Sequence, residues 1–215
     1  MKKYLPGAIL LLCGVIAGVI ISSALFVFSG FSVFSGVRKE PSQPDSVNNA
    51  ALTALSYDVL ENIKIGDYAA LAGMSHPEYG VVFSPSATVT LLTNRRFSPD
   101  QIAYFANDSS VYVWGVRSGS DEPIEMTPLD YISEYVFDKD YTEASIVGVN
   151  RIVRSGNALE NIEEVFIDVQ YVDFHIAGGE KDSADDMGWS SLRLGFEDYE
   201  GALRLVVVVH SAWSE

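Results

Sequence analysis

The residues best suited to chemistry in this chain close one apolar segment. From Val165 to Ile176 β-branched and aromatic residues dominate, and on a strand Val165, Ile167, Val169, Tyr171, Asp173 and His175 share one face. The apolar stripe then ends in a carboxylate and an imidazole about 6.8 Å apart along the strand. A carboxylate beside an imidazole can take a proton from a small molecule and hold it, so Asp173 and His175 form the candidate catalytic pair. Tyr171 joins them as a candidate wall of a ligand cavity. The same order also arises wherever a strand leaves a core and turns polar. His76 opens the string HPEYGVVFSP (His76 to Pro85), in which two prolines and Gly80 fix a rigid loop. It reads either as a ligand contact or proton donor at a cavity mouth, or as a histidine that hydrogen-bonds its own loop. Trp114, with Trp189 and Trp213, offers a face on which a sugar or aromatic ligand can stack; the competing reading is packing on a sheet.

Other chemistries lack their motifs. Three histidines separated by about 100 and 35 residues, with neither HExxH nor CxxC, define no metal site, and no cofactor is implied. Asp182, Asp185 and Asp186 lack the alternating ligands and closing Glu of a calcium loop and read as a solvated turn. Neither a GxSxG nucleophile elbow nor a phosphate-cradling glycine loop is present. His210 ends a strand whose alternation places it with Arg204, Val206 and Val208, opposite Leu203, Leu205, Val207 and Val209. With both faces apolar that strand is expected at the sheet centre, which makes His210 structural.

These residues must be held by elements that the sequence also announces. Residues 5–28 are almost wholly apolar and follow Lys2 and Lys3; as a helix they reach roughly 36 Å, enough to cross a bilayer. The expectation is a transmembrane signal-anchor over residues 1–30, N-terminus cytoplasmic, with cleavage and secretion as the alternative. A Pro-, Gly- and Ser-containing linker (31–46) leads to an extracytoplasmic domain (47–215). Leu52, Leu55, Val59 and Ile63 give a helical stripe stopped by Gly66, and Asp67 caps a second short helix ending at Gly73. Strands are expected near 81–83, 87–92, 111–116, 145–150, 165–176, 190–197 and 202–210, with another helix over 128–135 and an exposed hairpin connection over 178–188.

All 29 acidic residues, but only 10 of the 14 basic ones, lie from Glu40 onward, so that part carries −19. This excludes nucleic acid and adhesion to anionic lipid, which require a positive surface. The only cysteine, Cys13, lies in the apolar run, so no disulfide can hold the domain and an ordinary core must.

Two helices followed by a long antiparallel run define an α+β layer, a helical hairpin packed on a curved, mainly antiparallel sheet. This order, with the strings HPEYGVVFSP, VWG (Val113 to Gly115), WSSLRL (Trp189 to Leu194) and HSAW (His210 to Trp213), resembles a family of uncharacterised bacterial secreted or lipid-anchored domains with the cone-shaped nuclear-transport-factor-two-like fold. The resemblance covers roughly residues 47–213. It implies a cavity inside a bent sheet and homodimerisation through the sheet face, and it brings no activity. Some enzymes of that superfamily pair an Asp and a His in the cavity. The resulting expectation is a membrane-anchored binding or assembly module that contacts the bilayer through residues 5–28 and takes a small-molecule ligand. The alternative is a small-pocket lyase, isomerase or hydrolase using Asp173 and His175, with His76.

Overall fold

In the computed structural model, the structure describes residues 46–117, 119–120, 122–179 and 188–213. The expected signal-anchor (1–30), nearly all of the linker and the Asp182, Asp185 and Asp186 turn lie outside the described residues. Among the described residues no helix is long and apolar enough to cross a membrane.

Helix α1 (Ser46–Ile65) buries Leu52, Val59, Leu60 and Ile63 and keeps Leu55 half-buried, the stripe that the sequence spacing requires. It stops where Gly66 adopts φ +73°, a left-handed conformation that costs glycine nothing. Helix α2 (Tyr68–Met74) begins at once, its free Ala70 N–H donating to the Asp67 carboxylate at 2.9 Å. The strands that follow are β1 (Val81–Ser84), β2 (Arg95–Phe97), β3 (Tyr112–Val116), β4 (Pro123–Met126), β5 (Ile146–Val149), β6 (Gln170–Ile176), β7 (Ser190–Tyr199) and β8 (Ala202–Ala212). Three short helices, α3 (Pro99–Ala103), α4 (Pro128–Tyr131) and α5 (Ile162–Val165), lie between them, and a single π turn (Ile132–Val136) continues α4. The architecture is thus α+β.

Six strands form one sheet in the order β2-β1-β8-β7-β6-β5, antiparallel except for the β1–β8 pair; β3 and β4 pair separately. Strand β8 is central and apolar on both faces, as its composition requires. One face carries Phe174, Leu192, Leu194, Phe196, Leu205 and Val208, which join the core that includes the buried side of α1; Tyr57 of that helix meets Phe174 edge-on at 5.1 Å. The other face carries Tyr171, Val207 and Val209, and they pack with Ile162 and Phe166 from the segment that precedes β6.

Strict alternation fails in β8. Gly195 pairs with Val207 and Phe196 with Leu205, so Val206 is an extra residue and the strand bulges there. Leu205 therefore shares its face with Val208 and His210, while Val206 and Val207 both join the opposite cluster. Gly195 permits this close approach, because a Cβ on it would lie 2.5 Å from Val207 Cγ1.

Two expected strands are corrected. Residues 87–92 form a loop, because the polar groups between the apolar ones close on themselves: Ser84 and Ser86 hydroxyls donate to the Thr88 carbonyl, and Thr90 N–H donates to Asn94 Oδ1 at 2.6 Å. The Val89 N–H and C=O are taken by the side-chain amide of Asn161 in place of a neighbouring strand. Residues 165–169 are not strand either. Ile162–Val165 make a helical turn and Asp168 sits at φ +62°, so Val165, Ile167 and Val169 do not extend the face of Tyr171, Asp173 and His175.

Candidate functional site

Asp173 and His175 do lie on one face of β6, together with Tyr171, and the register places them opposite Arg193 and Ser191 of β7. Both are buried, and the segment 150–166 reaches Asp173 through Val153 and its partner Arg193 through Glu160. Asp173 Oδ2 accepts from Val153 N–H at 2.8 Å, and Oδ1 lies 3.5 Å from Arg193 Nε. The Arg193 guanidinium also grips Glu160 from the covering segment with both terminal nitrogens. Burial pushes the Asp173 carboxyl above the usual range, against the opposing pull of Arg193 and the Val153 N–H. His175 Nδ1 is 2.9 Å from Ser191 Oγ, and its ring packs against Trp189 at 5.8 Å. The Tyr171 hydroxyl donates to Glu163 at 2.9 Å, and burial, followed by this carboxylate, raises its pKa. The arrangement ties the covering segment to the sheet by charge and hydrogen bonds.

His76 is not brought to this pair. It sits beside the start of β8, its N–H donating to the Leu205 carbonyl at 2.9 Å, whereas His175 is level with Ser211 at the far end. Its Nδ1 accepts from Tyr79 N–H at 2.9 Å and from Glu78 N–H at 3.3 Å, and Tyr199 meets the ring edge-on at 4.7 Å. The imidazole thus serves as the acceptor for two N–H groups of its own loop. His76→Ala is expected to remove the acceptor of the part-buried Tyr79 N–H and lower domain stability by about 1 kcal/mol, read as the urea unfolding midpoint of the purified protein.

Trp114 is fully buried. Tyr131 stacks on its ring at 3.8 Å and an interplanar angle of 6°, and its indole N–H donates to the Met126 carbonyl at 3.0 Å. Phe83, Phe97 and Phe105 surround it.

A cavity opens elsewhere, where the parallel strands β1 and β8 end together. Its volume is about 290 Å³, at the lower end of small-molecule pockets. Pro85, Ser86 and Ala87 follow β1, while His210, Ser211, Ala212 and Trp213 close β8; Val116 and Arg117 come from the end of β3, Ile124 from β4 and Tyr135 from the π turn. Asp173, His175, His76, Tyr171 and Trp114 do not line it.

A carboxylate stands behind His210. Asp138 Oδ1 is 3.5 Å from His210 Nε2 and accepts from the Tyr141 hydroxyl at 2.7 Å, and that hydroxyl lies 2.8 Å from Ser190 Oγ. Burial alone pushes the Asp138 carboxyl up, yet the His210 imidazole and the Tyr141 hydroxyl together bring it below its ordinary value. Tyr135 meets His210 edge-on at 6.0 Å and stacks on Tyr131 at 5.2 Å, so the cavity wall is braced by the aromatic core. Burial raises the Tyr135 pKa, and the nearby Arg117 opposes this.

Sequence reading singled out His210 as structural and did not single out Arg117, Tyr135 or Asp138. The only available signal was the HSAW string at the end of β8; Asp138 lies just past a π turn, where no periodicity marks a residue. Among the described residues no group of three or more His, Cys, Asp and Glu stands together as a metal-ligand set. Comparison of the chain with protein-family models, with curated proteins and with solved structures found no match.

Proposed function

We propose that this chain is a membrane-anchored extracytoplasmic binding module that receives a small molecule in the cavity at the ends of β1 and β8. The observation that carries the reading is the wall itself, in which apolar Ala87, Val116 and Ile124 stand beside the polar groups of Arg117, Tyr135 and His210. Few, convergent polar groups in an apolar concavity are the usual make-up of a ligand site. The anchor is residues 5–28, with the N-terminus cytoplasmic; its support is the apolar length and Lys2 and Lys3 with the amino terminus ahead of the run, against Arg38 and Lys39 after it. A cone-like sheet bent around α1 and α2 belongs to the same proposal, supported by the bulge at Val206 and by the burial of α1 against one face. Homodimerisation through the sheet is left out of this reading, since residues 150–169 of the same chain already pack over the centre of the opposite face.

One observation favours a second reading as a lyase, isomerase or hydrolase: His210 lines the cavity and is backed by the Asp138 carboxylate at 3.5 Å. The test of the binding reading is native mass spectrometry of the full chain, purified in mild detergent from a bacterial host. A bound small-molecule mass is expected on the wild type and lost in Ala158→Trp, which fills the cavity from an exposed position. A bound mass that survives this substitution removes the cavity as the site.

A further inference from the structure

The charge on the cavity wall runs against that of the chain. Acidic residues outnumber basic ones 29 to 14, yet no Asp or Glu lines this cavity among the described residues, and Arg117 does. Other arginines are engaged: Arg193 holds Glu160, Arg204 donates to the Gly73 carbonyl, and Arg95 and Arg96 lie over the rings of Tyr112 and Tyr79. Among the described residues no carboxylate lies within ion-pair distance of Arg117. Asp138, behind the wall, is turned to Tyr141 and His210, and Glu134, which acts on Tyr135, does not line the cavity.

We propose that the cavity takes a small organic carboxylate, its anionic head on Arg117 and its apolar body against Val116, Ile124 and Ala87. The inference rests on the binding reading above and adds the ligand class. A guanidinium presents two parallel N–H donors that match a carboxylate. One such cation suits a monoanion; a phosphate dianion would need more positive charge than this wall holds. The Tyr135 hydroxyl and the serines Ser86 and Ser211 supply neutral polar groups beside it. The volume of about 290 Å³ accommodates a single ring or a short branched chain.

The test is an NMR titration of the full chain in non-ionic detergent micelles, following the Trp213 indole N–H with benzoate, benzyl alcohol and benzylamine. Benzoate is expected to give a saturable shift, the two probes without a carboxylate little or none, and Arg117→Gln to weaken benzoate about tenfold or more. Arg117 is exposed, so the fold does not depend on it. Equal shifts from benzyl alcohol or benzylamine, or benzoate affinity unchanged in Arg117→Gln, overturn the inference while leaving the cavity as a binding site. The absence of a shift with any of the three overturns both.

Discussion

Arg193→Met is expected to destabilise the domain by about 3–5 kcal/mol, enough to consume much of the roughly 5–15 kcal/mol available to a domain of this size. Arg193 and Asp173 are both fully buried, and the Glu160 side chain is only 11 % exposed, so the substitution leaves a fully buried and a mostly buried carboxylate without their counter-charge. Methionine fills most of the volume, which leaves the missing charge as the main cause. Replacing all three groups, with Asp173→Asn and Glu160→Gln added, is expected to recover most of the loss, since a cluster without net charge leaves nothing uncompensated. Urea unfolding followed by circular dichroism reads both variants. A loss below about 1 kcal/mol for Arg193→Met would show that solvent enters the cluster.

The pH dependence of that variant follows from Asp173. Burial holds its carboxyl above the ordinary range, so the folded state binds this proton more tightly than the unfolded chain does. Its contribution is complete below the unfolded value, about 3.9, and is lost as pH rises through the folded value. Arg193 pulls the folded value down; without it that value climbs further. The deficit of Arg193→Met is therefore smallest near pH 4 and widens toward neutrality. A deficit constant across that range would mean that the carboxyl is already protonated in the wild type.

Trp114→Ala is expected to cost about 3–5 kcal/mol through the cavity it leaves among Phe83, Phe97, Phe105 and Tyr131. It also removes the ring on which Tyr131 stacks, and Tyr131 in turn supports Tyr135 at the cavity wall. Stability should fall far more than ligand affinity measured at a temperature where the variant remains folded. The reverse pattern, intact stability with binding abolished, would restore Trp114 to the role of a ligand contact. The two outcomes are separated by unfolding the variant and titrating it with benzoate under the same conditions.

The legible part of the sequence is that governed by local periodicity and capping. The α1 stripe, the Gly66 stop, the Asp67 cap and the long apolar strands β7 and β8 all follow from residue spacing, because each involves neighbours within a few positions. The apolar composition of β8 also indicated its central place. Periodicity failed where the backbone needed a non-local partner. Nothing within residues 87–92 announces that Asn161 will satisfy the Val89 backbone, and nothing in the Val-rich run of β8 marks Val206 as the bulged residue. That single insertion changes which side chains accompany His210.

The sequence by itself determined an α+β chain with an acidic, disulfide-free domain behind an apolar N-terminal run, since composition and short-range pattern suffice for those properties. It also placed Asp173 and His175 on one face of a strand. Only the tertiary structure decided that this face is closed by residues 150–166, that Arg193 and Glu160 complete its charges, and that the open cavity belongs to Arg117, Tyr135 and His210. The physical reason is that burial and charge pairing arise from residues tens of positions apart, whose meeting is fixed by strand register and by the parallel seam of β1 with β8.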